Sequence, residues 1–161
     1  MATKDEIIRG LDLLIQEGHR VANDLTDSQW ERVVDLDGWK NREVLAHIAG
    51  IGGIVLPMVN GMANAPAGAD SLGAVDIDQM NAGIVASKAG KSAKDLADEL
   101  DTAYRGVIEF VRNAPDDMLA KRVTAGGHKD VPISDIAMRM VVMHGLAHIY
   151  SVYSSIFFSK D

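Results

Sequence analysis

Apolar residues recur at every third or fourth position through four separate stretches of this chain, and no segment alternates with period two for long enough to demand a strand. In the first stretch Thr3 and Glu6 stand at the spacing of a capping box. Ile7, Ile8, Leu11, Leu14, Ile15 and Val21 or Ala22 follow at helical spacing, so a helix should run to about Leu25. The second is expected from about Asn41, carried by Val44, Leu45, Ile48, Ile51 and Val55. Pro57 should kink it or end it near Leu56. A loop from Gly61 to Gly73 and a short helix over Ile77 to Ser87 come next. Ser92 and Asp95 then restart a helix whose stripe is Leu96, Leu100, Tyr104, Val107, Ile108 and Val111, ending at Ala114-Pro115. After a loop holding Gly126-Gly127, the last helix should run from Ile133 to Ser159 behind a first-turn proline, Pro132. The expected fold is all-α: a four-helix bundle with one short extra helix, forming a single domain over residues 1–161.

Composition narrows the function classes. The formal net charge of −7 argues against nucleic acid and anionic lipid as partners. With no cysteine, disulfides, thiolate metal sites and a cysteine nucleophile are excluded together. The segment Ile136 to Phe158 is apolar and long enough to span a bilayer, yet it contains Arg139, His144 and His148, which are costly in lipid. A helix packed in a bundle accounts for the same residues. The acidic start, MATKDEII, lacks the apolar core of a secretory signal, so a cytoplasmic protein with no membrane partner is expected.

Three histidines carry the chemistry. His144 and His148 lie four residues apart, which places their rings one turn apart on one face of the last helix. That face continues the stripe Ile133, Ala137, Met140, Ala147 and Ser151, expected to point into the bundle. Two inward histidines need partners for four ring nitrogens, and one shared metal satisfies two of them. His47, on the expected inward face of the second helix, is a plausible third donor, since bundle metal sites draw on facing helices. The alternative is core histidines bonded to backbone carbonyls. His19 and His128 read as solvated. The glycines of Gly50-Ile51-Gly52-Gly53 read as points of close helix approach or as space kept open near a pocket.

These residues carry a family resemblance. The run Gly38-Trp39 through His47 resembles the opening of the second helix in DinB-like (YfiT-like) four-helix bundles. His144-Gly-Leu-Ala-His148 resembles the paired histidines of their last helix. Asn81 resembles an asparagine of the actinobacterial branch, which includes the N-terminal domain of mycothiol-dependent maleylpyruvate isomerase. Relatives usually carry Ser or Thr after the tryptophan; with Lys40 there, Asn41 is expected to cap the helix. The resemblance implies a divalent metal, zinc or nickel, on His47, His144 and His148, and a homodimer. It also implies transfer or isomerisation chemistry using a low-molecular-weight thiol such as mycothiol or bacillithiol on a small electrophile. Asn81 and Tyr150 are the candidate residues for binding that thiol, while Tyr150 and Tyr153 are also candidates for the dimer interface. The rival expectation is a non-catalytic DinB-like stress or ligand-binding bundle.

Overall fold

A computed structural model describes residues 1–34, 38–66, 69–72 and 75–157. Its helices are α1 (Lys4–Asp24), α2 (Asp27–Trp30), α3 (Asn41–Asn64), α4 (Ile77–Ser87), α5 (Ala93–Asn113), α6 (Asp116–Ala120), α7 (Ile133–Ala137) and α8 (His144–Phe157). A π-helical segment, Met138–Met143, joins α7 to α8 into one long final helix. Together α1, α3, α5 and this final helix make the four-helix bundle, with α4 as the short extra helix lying on α3. The expected end of the last helix at Ser159 lies outside the described residues.

Local chemistry accounts for the helix starts. The Thr3 hydroxyl accepts from the Glu6 backbone N–H, and the Glu6 carboxylate accepts in return from Thr3. Ser92 and Asp95 repeat the arrangement at α5. The expected Asn41 cap is not what α3 uses. Lys40 is the capping residue, and the Glu43 carboxylate accepts from its N–H at 2.7 Å. Asn41 is instead fully buried: its amide donates to the Gln29 carbonyl and its oxygen accepts from the Ser155 hydroxyl. It thereby ties the start of α3 to both α2 and α8.

Three further departures have physical causes. Pro57 does not end α3, which continues to Asn64. One lost backbone bond is outweighed because Val55, Val59 and Met62 are all buried along the same face. A hairpin of β1 (Arg122–Ala125) and β2 (His128–Pro132) occupies what reads as loop. Gly126 and Gly127 both adopt positive φ, the two-residue turn that matches strand twist, but each strand is too short for alternation to show. Finally, the extra residue of the π segment advances the buried stripe of the last helix by one position. Ser151 is buried as expected, but Met140, His144 and Ala147 are not, and the core-facing set beside it is Val141, Gly145, Ile149 and Val152.

Close contacts fix the helix spacing. A Cβ on Gly145 would stand 2.6 Å from Leu14, and one on Gly50 2.2 Å from Ile84 of α4. Gly52 similarly admits Ala103 and Tyr104 of α5, whereas Gly53 faces open space. Buried Tyr104 donates its hydroxyl to the Ile48 carbonyl, one residue past His47. Both α3 and the segment Ile133–Phe157 are long and apolar enough to cross a membrane, and here both pack within the bundle.

Candidate metal centre

The one-residue advance of the last helix decides where the histidines point. His144 and His148 lie beside the core stripe, facing the first half of α3. His144 is exposed and His148 half-buried, correcting the expectation of two histidines on an interior face. His47 is the buried member, 1% exposed, between Ala46 and Ile48 on α3. The interior supplies one imidazole and the rim supplies two.

Their ε nitrogens converge. Nε2 of His144 stands 3.1 Å from Nε2 of His47 and 3.1 Å from Nε2 of His148. All three donor atoms lie within 4.8 Å of one another. A single ring proton on the central nitrogen satisfies only one of these two contacts and leaves lone pairs facing each other. Two nitrogens held about 2.05 Å from one metal are separated by about 3.3 Å at a tetrahedral angle and about 2.9 Å at a right angle, values that bracket the observed spacing. The residues present therefore fit a divalent cation.

Burial favours the neutral form of His47 and of His144. Burial, with smaller contributions from His148 and His144, pushes the His47 pKa from its usual 6.5 down to about 3. The packing around the His144 ring lowers its pKa as well. A neutral imidazole is the coordinating form. The Nδ1 of His47 is buried and has no hydrogen-bond partner among the described residues, so nothing there selects its tautomer. Trp39 closes one side of the cluster, its ring centroid 5.0 Å from that of His47 and 6.3 Å from that of His148.

The family defined by the mycothiol maleylpyruvate isomerase N-terminal domain matches residues 11–149, a span holding all three histidines. The chain belongs to this family. Solved structures agree on the DinB-like helical fold. The colibactin self-resistance protein ClbS, crystallised with double-stranded DNA, superposes with a TM-score of 0.74 at 9% identity, covering 99% of each chain. An uncharacterized protein from Clostridium difficile 630 gives 0.75 at 13% identity over 99% of each chain. The mycothiol-dependent maleylpyruvate isomerase gives 0.69 at 16% identity, covering 94% of this chain and 63% of the isomerase. Comparison with curated proteins finds no match.

In this isomerase-domain family member the remaining sequence candidates are scattered. Asn81, on α4, has a buried side-chain oxygen without a hydrogen-bond partner among the described residues, and nothing described joins it to the histidines. Tyr150 is 68% exposed and lies about 200° around α8 from His148. Tyr153 is half-buried, and its hydroxyl donates to the Glu17 carboxylate at 2.9 Å, bracing α8 on α1. His19 is not simply solvated either, since its Nε2 lies 3.2 Å from Asp101 on α5. In the sequence Trp39 stands out only as part of a motif, and its contact with two histidines comes from the fold. An aromatic eight residues before a helix-borne histidine was the available signal.

Proposed function

We propose that this chain holds one divalent metal, zinc or nickel, through His47, His144 and His148, and acts as a thiol-dependent transferase or isomerase on a small electrophile. The observation that carries this reading is the convergence of three Nε2 atoms from α3 and α8. Such a metal supplies Lewis acidity that lowers the pKa of a bound thiol or water. The protein's part follows from its own side chains. His47 enters from the core and stays neutral in mildly acidic solution, while exposed His144 leaves the outer side of the cluster accessible. Trp39 shields the flank and limits water there. Because the chain has no cysteine, the nucleophilic sulfur would arrive on a low-molecular-weight thiol such as mycothiol or bacillithiol. Asn81, whose buried oxygen has no partner among the described residues, is our candidate for contacting that thiol; Tyr150 would reach it only from the solvent side.

Elemental analysis of natively purified protein should find about one metal per chain, and His148→Ala should abolish it. Stoichiometric metal in that variant refutes the ligand set. Chelator-sensitive adduct formation with mycothiol or bacillithiol and an electrophile separates catalysis from the rival, a non-catalytic stress or ligand-binding bundle. Among the described residues no fourth His, Asp or Glu joins the cluster, which leaves a bound metal an open position and favours the catalytic reading over that rival.

Small molecules rather than nucleic acid are the proposed partners, because a net charge of −7 opposes a polyanion, although the ClbS neighbour was crystallised on DNA. A cytoplasmic location without membrane attachment is part of the same reading. So is a homodimer through α8 and the turn before it, where exposed Met143, Tyr150 and Phe157 recur every seven residues. A monomeric mass at micromolar concentration rejects the dimer.

A further inference from the structure

Between the start of α3, the end of α4 and the first turn of α5 the helices leave a cavity of about 460 Å³. It exists because the side chains there are short: Ala46 of α3 and Ala82, Val85 and Ala86 of α4 form an apolar floor. The α4 helix rests on α3 where Ile84 sits over Gly50, and none of its residues is buried. Apolar surface on both helices is therefore left for an occupant to cover. Trp39 borders the cavity as well as the histidine cluster.

The rim of this groove is charged but balanced. Its cations are Lys40, Arg42, Lys88 and Lys91, and the carboxylates beside them are Asp27, Glu31, Glu43 and Glu99. Lys40 and Arg42 pair with the two oxygens of Glu31, at 2.7 and 3.1 Å. Lys88 and Lys91 pair with Glu99, each at 2.9 Å. Glu43 accepts from the Lys40 backbone N–H at 2.7 Å, and Asp27 lies in the first turn of α2, where a carboxylate is favoured. A charged occupant must break one of these pairs or sit beside them uncompensated. An uncharged one leaves them intact, and the methylene stems of the lysines and the arginine extend the apolar wall around it.

We propose that this groove is a binding site for an uncharged aromatic small molecule, held by the alanine floor and the Trp39 indole and not by any ionic contact. The volume suits a ligand of that size, and an apolar lining with a few polar groups at its edge is what such sites present. Trp39 and Ala46, the residue before His47, link the groove to the histidine cluster. An uncharged aromatic compound is therefore also the class of electrophile we assign to the metal centre. That assignment rests on the proposed function. Binding to the groove does not, because none of the three histidines lines it, and it is testable on metal-free protein.

Three probes share one ring system and differ in charge: 2-naphthamide, 2-naphthoate and 2-(aminomethyl)naphthalene. Each is titrated calorimetrically into chelator-treated full-length protein. The amide should bind about fivefold or more tighter than either ion, because only the ions disturb the paired rim. Either ion binding as tightly as the amide overturns the proposal, as does the absence of saturable amide binding. Ala82→Trp and Ala86→Trp fill the groove from exposed positions on α4 and should each weaken the amide about tenfold. Wild-type affinity in both variants shows that the amide binds elsewhere and overturns the site. Arg42→Gln leaves Glu31 paired with Lys40 and makes the rim one unit negative. It should strengthen the amine about threefold and change the amide less than about twofold; a tenfold loss of amide affinity would mean that a cation holds the ligand, which also overturns the proposal. Metal content measured on untreated samples of each variant reports separately on the histidine site. Loss of amide binding with metal retained, or the reverse, tells the two readings apart.

Discussion

Acidifying the metal-free protein should cost stability through His47 in a way that one substitution removes. The folded-state pKa of about 3 lies below the unfolded value near 6.5, so the unfolded chain binds the extra proton throughout the interval. Stability from keeping His47 neutral is whole above pH 6.5, falls as the pH drops below it, and is exhausted near pH 3. Between pH 7 and pH 5 the linkage amounts to about 2 kcal/mol, and to about 3 kcal/mol by pH 4. The assay is urea unfolding with chelator at pH 7 and pH 5, comparing wild type with His47→Leu. Carboxylates titrate in both proteins and cancel in the difference. Wild type should lose about 2 kcal/mol more than the variant, which appears as a midpoint shift larger by about 1 M urea. Equal midpoint losses in the two proteins would show that His47 is not held neutral by burial, and the electrostatic account of the centre would fail. Added zinc or nickel should flatten the wild-type dependence only, since the metal binds the neutral ring.

Gly145→Ala should destabilise the protein by about 1–3 kcal/mol in thermal or urea unfolding, because its Cβ meets Leu14 and α8 must shift from α1. Tyr104→Phe removes the bond to the Ile48 carbonyl and should cost about 1 kcal/mol with helicity unchanged. Asn41→Leu removes the bonds to the Gln29 carbonyl and the Ser155 hydroxyl, which keep the Arg32 N–H and the Val152 carbonyl as partners; a loss of about 1–2 kcal/mol is expected, with weaker metal retention as the α3 start loosens. Deleting one residue of the π segment, Met140, should heal it to α-helix with α8 in place, leaving metal stoichiometry unchanged. Retained helicity with lost metal would show that the π turn itself orients His144.

What local chemistry controls was legible in the chain alone. The capping boxes at Thr3 and Ser92, the span of α4, the break at Ala114-Pro115 and the pairing of His144 with His148 depend on neighbours within one helical turn. The family follows from residues 38–47 and 144–148 for the same reason. Three features did not follow. The hairpin strands are shorter than the window in which alternation separates from chance. Pro57 costs one hydrogen bond locally and is overruled by burial that only the assembled bundle provides. The π segment shifts the phase of every later residue by about 100°, and helical periodicity cannot register an inserted position.

That shift matters most, because it turns a pair of histidines expected in the core into two rim donors facing a third on α3. Spacing along a helix determines which side chains travel together. Packing between helices decides what they meet, since only the approach of α8 to α3 brings three ring nitrogens to one point.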